Sequence, residues 1–183
     1  MNGSRRVYLI NGPNLSRLGK REPKVYGSTS LREIEESFSR LASSLGYEAV
    51  CIQSDSESEI IKTIHAAIDE SAGIVINPGA LTHYSYAIAD ALAQAPGRVV
   101  EVHITNPYSR EAWRQKSVVS AYVTGTISGF GVTSYLLALR ALAAIDGAET
   151  PGADSSEHSD RSSRPSNKQA ERQMEQDSGG GPA

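Results

Sequence analysis

The sequence predicts an α/β protein built on a doubly wound sheet of five parallel strands in the order 2-1-3-4-5. Three observations point there. Short apolar runs alternate with longer stretches whose apolar residues recur at helical spacing. The run Gly73-Ile74-Val75-Ile76 is apolar throughout, as a strand covered on both faces requires. Polar motifs follow the first, third and fourth runs, at the sheet edge where open α/β sheets bind small molecules.

The first strand, Val7 to Ile10, is ended by the turn signal Asn11-Gly12-Pro13. Ser30 and Glu33 have the spacing of a capping box, in which each side chain satisfies an orphan N–H at the start of a helix. Leu31, Ile34, Phe38, Leu41 and Leu45 then lie along one face, and Gly46 is the stop. Glu48 to Ile52 is the second strand, with Cys51 as a small buried residue on it. Ser56 to Glu59 opens a second boxed helix whose apolar face carries Ile60, Ile61, Ile64 and Ile68, with His65 beside that face. Gly73 to Asn77 is the third strand, and a helix from His83 to Ala93 follows. Arg98 to Ile104 is the fourth strand, and Val118 to Ile127 contains the fifth. The last helix, Val132 to Ile145, aligns Tyr135, Leu136, Leu139, Leu142 and Ala143 on one stripe. This arrangement is the flavodoxin-like one, with its ligand crevice among the loops after strands one, three and four. Gly125 to Gly131 matches neither a dinucleotide fingerprint nor a phosphate loop and is read as a tight strand-to-helix turn. Pro13 removes a backbone donor from the first loop, which argues against a flavin phosphate there.

Composition places one domain over residues 1–147 of the 183. From Ala148 to Ala183 there is no Leu, Ile, Val, Phe, Tyr or Trp, so this segment cannot offset the entropy of ordering and is read as a disordered tail. A net charge of −3 without a basic stripe argues against nucleic acid. A single cysteine excludes an internal disulfide and fits a reducing compartment. The N-terminus lacks the apolar core of a signal peptide, and no run approaches the roughly 18 apolar residues of a membrane span. The expectation is a soluble, cytoplasmic protein.

The polar motifs bring a tyrosine among arginines, two histidines and two asparagines, with no metal-ligand set. That inventory suits proton transfer beside a carbonyl and expulsion of water. Tyr26 follows Arg21 in a charge-rich, glycine-flanked segment read as a lid. A free phenol, with a pKa of about 10, is a poor base at neutral pH, but guanidinium groups such as Arg21, Arg110 and Arg114 favour the phenolate. The same segment also fits a surface loop beside solvated charges. Glu101 and His103 leave the same strand face, so the carboxylate can fix the ring's tautomer and stabilise its protonated form, making His103 a general acid. A buried charged pair left without a task would cost desolvation. The N–H groups of Ile104 and Thr105 emerge at the strand end and suit a carboxylate. Arg110 and Arg114, four apart, suit an anionic substrate. Asn77 and His83 flank a Pro-Gly turn and fit either ring hydroxyls or their own backbone.

Five motifs then carry a resemblance: Asn11-Gly12-Pro13-Asn14-Leu15, Leu18-Gly19-x-Arg21-x-Pro23-x-x-Tyr26-Gly27, Asn77-Pro78-Gly79-x-x-Thr82-His83, Glu101-Val102-His103-x-x-Asn106 followed by Arg110-Glu111, and Thr124-Gly125-x-Ile127-x-Gly129-Phe130-Gly131. By their number, order and spacing the chain resembles type II 3-dehydroquinate dehydratases from Val7 to Leu142. The resemblance implies anti elimination of water from 3-dehydroquinate through an enolate, without metal or organic cofactor, in the shikimate pathway or quinate catabolism. It implies Tyr26 as base tuned by Arg21, Asn14 as enolate stabiliser, and His103 as acid oriented by Glu101. Asn77, His83 and Arg114 would hold ring hydroxyls and the carboxylate region, and the Ile104 and Thr105 N–H groups the carboxylate itself. Arg110 matches a family arginine near the tyrosine. Asp90 would reach a neighbouring subunit's site in a dodecamer, a tetramer of trimers. Thr105 replaces a commoner serine, Tyr84 a small hydroxyl residue, and Gln115-Lys116 a pair containing histidine. These departures touch affinity and subunit packing rather than reaction type. A binding protein of the same fold without turnover is the alternative that the intact catalytic set argues against.

Overall fold

The computed structural model describes residues 5–20 and 28–147. The proposed base Tyr26, its partner Arg21 and the expected tail over 148–183 lie outside the described residues.

Five strands form one parallel sheet: β1 (Arg5–Asn11), β2 (Tyr47–Gln53), β3 (Gly73–Asn77), β4 (Val99–His103) and β5 (Gly125–Ser128). Their order is β2-β1-β3-β4-β5, as the sequence predicts. Among the described residues, four α-helices cover the sheet: α1 (Leu31–Ser44), α2 (Glu57–Asp69), α3 (Tyr86–Leu92) and α4 (Thr133–Ile145). Side chains alternate across a strand, so each strand feeds two cores. Val7, Leu9, Val75, Val100 and Val102 pack with Phe38 of α1 and Leu139 of α4. Tyr8, Ile10, Ile74, Ile76 and Val99 pack with Ile60 and Ile64 of α2 and Ile88 of α3.

The capping box before α1 is complete: Ser30 Oγ accepts from the Glu33 N–H, and the Glu33 carboxylate accepts from the Ser30 N–H. The box expected at Ser56 does not form. Glu59, which would have closed it, pairs with Lys62 at 2.9 Å, and Glu57 accepts from Ser85 Oγ of the next helix cap. The single helix expected from His83 to Ala93 is also divided. A 3₁₀ turn covers Gly79–His83, and Ser85 then caps α3 by accepting from the Ile88 N–H at 3.0 Å. That break lets His83 end a tight turn rather than enter a helix. The fifth strand starts only at Gly125, after a 3₁₀ turn at Ser120–Tyr122, and Gly129 (φ 92°) and Gly131 (φ 60°) turn the chain into α4. Cys51 is half-buried on β2, and His65 is exposed on α2.

The C-terminal sheet edge is built by close backbone contact. The Gly12 N–H donates to the Asn77 carbonyl at 2.8 Å. A Cβ on Gly12 would lie 2.4 Å from the Pro78 carbonyl oxygen, so only glycine allows the loops after β1 and β3 to touch.

Candidate active site

Strand parity decides which polar side chains meet at this edge. Asn11 pairs with Asn77 in register across β1 and β3, and both follow the positions that face α1 and α4. Glu101 and His103 instead follow Val99, on the face covered by α2 and α3. The crevice between the loops is a cleft of about 830 Å³ including its open mouth. Asn14, Asn77, His83, His103, Ile104, Thr105, Arg110 and Arg114, all expected site residues, line it.

Glu101 is fully buried behind His103, and its Oε1 lies 2.8 Å from His103 Nε2. Burial opposes ionisation, but the His103 hydrogen bond and charge, with the Ser120 and Thr82 hydroxyls, outweigh it and hold the carboxyl below the usual carboxylate range. An ionised carboxylate only accepts, so Nε2 carries the hydrogen and Nδ1 is the nitrogen left to a ligand.

His83 Nδ1 lies 2.7 Å from the Lys116 carbonyl oxygen. A carbonyl also only accepts, which assigns the proton to Nδ1 and makes Nε2 of the neutral ring an acceptor. Burial lowers the His83 pKa, and the positive charges of His103 and Arg114 push the same way against the carbonyl's contribution. Trp113 stands between two site residues, edge-on to His83 with ring centroids 5.1 Å apart and 4.0 Å from the Arg114 guanidinium carbon. Arg114 Nε donates to Glu111 at 2.8 Å, and Arg110 lies 3.5 Å from the same carboxylate and from Thr105 Oγ1. One acidic side chain thus contacts both guanidinium groups at the cleft wall.

Asn14 adopts a left-handed backbone conformation (φ 67°), and its N–H donates to Asp55 at 2.8 Å. Asp90 is exposed on α3 and does not line the cleft of its own chain. Among the described residues, no cluster of His, Cys, Asp or Glu is placed to hold a metal ion, and no helix is long and apolar enough to cross a membrane.

Sequence reasoning missed two groups of supporting residues. Thr82 and Ser120 donate hydroxyl hydrogens to Glu101, and Ser117 supports Thr82. Thr82 lies inside the Asn77-to-His83 motif, the one signal in the sequence that points to it. Tyr135, expected only in an apolar stripe, is fully buried; its hydroxyl accepts from Asn77 Nδ2 at 2.7 Å and donates to Asn11 Oδ1 at 3.0 Å. Burial raises its pKa well above that of an ordinary phenol, so it is a neutral bridge rather than a second base.

An open α/β sheet with a carboxylate–histidine pair, a neutral histidine and two arginines at its carboxyl edge defines an enzyme of the acid–base kind. The profile of the family described as Dehydroquinase class II matches residues 5–143, and the chain belongs to that family of dehydratases. It is 50% identical over 142 residues to the 3-dehydroquinate dehydratase of Pelotomaculum thermopropionicum, covering 78% of this chain and 99% of that one. The counterpart in Caldicellulosiruptor bescii is 51% identical over 142 residues, covering 77% and 98%. The crystal structure of the type II dehydroquinase from Propionibacterium acnes superposes with a TM-score of 0.75 at 46% identity, covering 77% of this chain and 97% of that one.

Proposed function

We propose that the chain eliminates water from 3-dehydroquinate in the anti sense to give 3-dehydroshikimate. Tyr26, as phenolate favoured by Arg21, removes the proton from the carbon beside the ketone, and the electron pair moves onto the carbonyl oxygen as an enolate. Asn14 stabilises that oxygen. The enolate then re-forms the ketone, the new carbon–carbon double bond forms, and the carbon–hydroxyl bond breaks. His103 Nδ1 supplies the proton that lets the hydroxyl leave as water, while Glu101 balances the imidazolium charge. Neutral His83 accepts from a ring hydroxyl through Nε2, beside Asn77 and Arg114. The Ile104 and Thr105 N–H groups receive the substrate carboxylate, with Arg110 adding positive charge. No cofactor takes part.

The observation that carries this reading is the 2.8 Å Glu101–His103 pair at the wall of a small polar cleft in a chain of this family. Further parts of the reading are a cytoplasmic location, a catalytic domain over residues 1–147 with a tail outside the chemistry, and a dodecamer, a tetramer of trimers, in which Asp90 serves a neighbouring site. The pathway served is biosynthesis through shikimate or breakdown of quinate. Mixing purified protein with 3-dehydroquinate tests the reaction through the rise of conjugated-enone ultraviolet absorbance. Saturable binding without that rise would replace the enzyme by a binding protein.

A further inference from the structure

Glu101 holds more donors than orienting a histidine requires. Its Oε1 accepts from His103 Nε2 at 2.8 Å and from Thr82 Oγ1. Its Oε2 accepts from Ser120 Oγ at 2.5 Å, with Thr126 Oγ1 at 3.5 Å. Ser117 Oγ accepts from the N–H groups of Val119 at 3.1 Å and Ser120 at 2.9 Å. Ser117 Oγ also lies 3.0 Å from Thr82 Oγ1. Because the Thr82 hydrogen goes to the carboxylate, the Ser117 hydrogen goes to Thr82, and the chain of hydroxyls runs in one direction towards Glu101.

This cradle is neutral. A fully buried carboxylate is driven towards its protonated form unless donors hold its charge. A lysine or arginine would hold it but would also compete with His103 for the charge. Hydroxyls hold it and leave the imidazolium as the closest cation. We propose that Thr82 and Ser120 are positioning residues that keep Glu101 ionised with Oε1 on His103, and thereby set the pH range in which His103 donates its proton. The proposal rests on the reading of His103 as the acid.

The charged groups around the pair, among the described residues, are few. His83, Arg110 and Arg114 face it across the cleft, and Glu111 is paired with the two arginines. The flanking strands β3 and β5 carry no titratable side chain. On the covering helices, Glu57 of α2 takes Ser85 Oγ and Asp90 of α3 is exposed. Ser120 Oγ, bonded to Glu101, contacts none of these groups. Removing one donor makes Glu101 more basic and concentrates its charge on His103, so both effects tighten proton binding by the pair.

The test follows the His103 imidazole by NMR against pH in substrate-free protein, alongside the pH profile of kcat on 3-dehydroquinate. Ser120→Ala and Thr82→Val are expected to raise the His103 midpoint by about one pH unit, a tenfold gain in proton affinity. The alkaline limb of kcat should move with it, and Thr82→Ser should restore the wild-type midpoint. An unmoved midpoint in Ser120→Ala, or a Thr82→Val shift that Thr82→Ser does not reverse, overturns the proposal. If Thr82→Val fails to fold, Ser120→Ala alone decides. Failure of the functional reading looks different: wild-type protein would not convert 3-dehydroquinate, whatever the imidazole titration shows.

Discussion

Asn77 and Tyr135, 58 positions apart, share a buried hydrogen bond of 2.7 Å beneath the cleft. Asn77 is the last residue of β3, and its Oδ1 accepts from the Gly79 N–H at 3.1 Å. With both ends of its amide engaged, the side chain has one orientation. Tyr135 thus connects α4 to the cleft through Asn77, and to β1 through Asn11.

Replacing Tyr135 by Phe should therefore act on binding and stability together. Two buried amides each lose a partner, at about 1–3 kcal/mol for a group left unsatisfied. Asn11 Nδ2 is already buried without a partner among the described residues. The expected outcome is a lower urea midpoint and a higher KM, with kcat less affected. Unchanged KM and unchanged stability would show that Tyr135 is ordinary core.

On the proposed mechanism, Tyr26→Phe should lower kcat by about 10²–10⁴-fold, because it removes the proposed base. Substrate affinity, measured by calorimetry, should stay close to wild type. Turnover retained in this variant would take the base role away from Tyr26.

Glu101 makes stability depend on acid. Its folded pKa is depressed below the ordinary carboxylate value, so the unfolded chain takes up a proton before the folded one does. The stability it contributes is present above the unfolded pKa of about 4.3 and is lost as pH falls through the folded value. Urea midpoints between about pH 3 and 7 should fall on the acid side in wild type. Glu101→Gln should be less stable at neutral pH but show a shallower acid loss. Parallel curves for the two proteins would contradict this account.

At the opposite end of the sheet, Asp146 after α4 accepts from Arg98 Nε at 2.7 Å and Nη2 at 2.5 Å, and from the Tyr47 hydroxyl at 2.6 Å. Burial, then Asp146, pushes the Tyr47 phenol up to about 12. Asp146→Ala should cost about 2–3 kcal/mol, since it strands a partly buried guanidinium. kcat and KM should not change, because this network is remote from the cleft. A change below about 0.5 kcal/mol in denaturant unfolding would reduce the network to a surface contact.

The strands, most helices and the cleft-lining residues were legible because their signals are local. Apolar period, the Ser30–Glu33 spacing and the two-residue offset of Glu101 and His103 are all geometry of a single element. The errors came where a local pattern had a distant competitor: Glu59 took Lys62, Glu57 took Ser85, and the helix after β3 broke at its own serine cap.

By itself, then, the order of residues determined the element types, the sheet topology and the set of polar groups brought to one edge. Tertiary structure alone decided which hydroxyls hold Glu101, which proton sits on His83, and that Tyr135 in an apolar stripe has a polar end bound to two asparagines. The physical reason is that periodicity follows from backbone geometry within a few residues. A hydrogen-bond partner depends on a separation of about 3 Å in space, which only the packed chain defines.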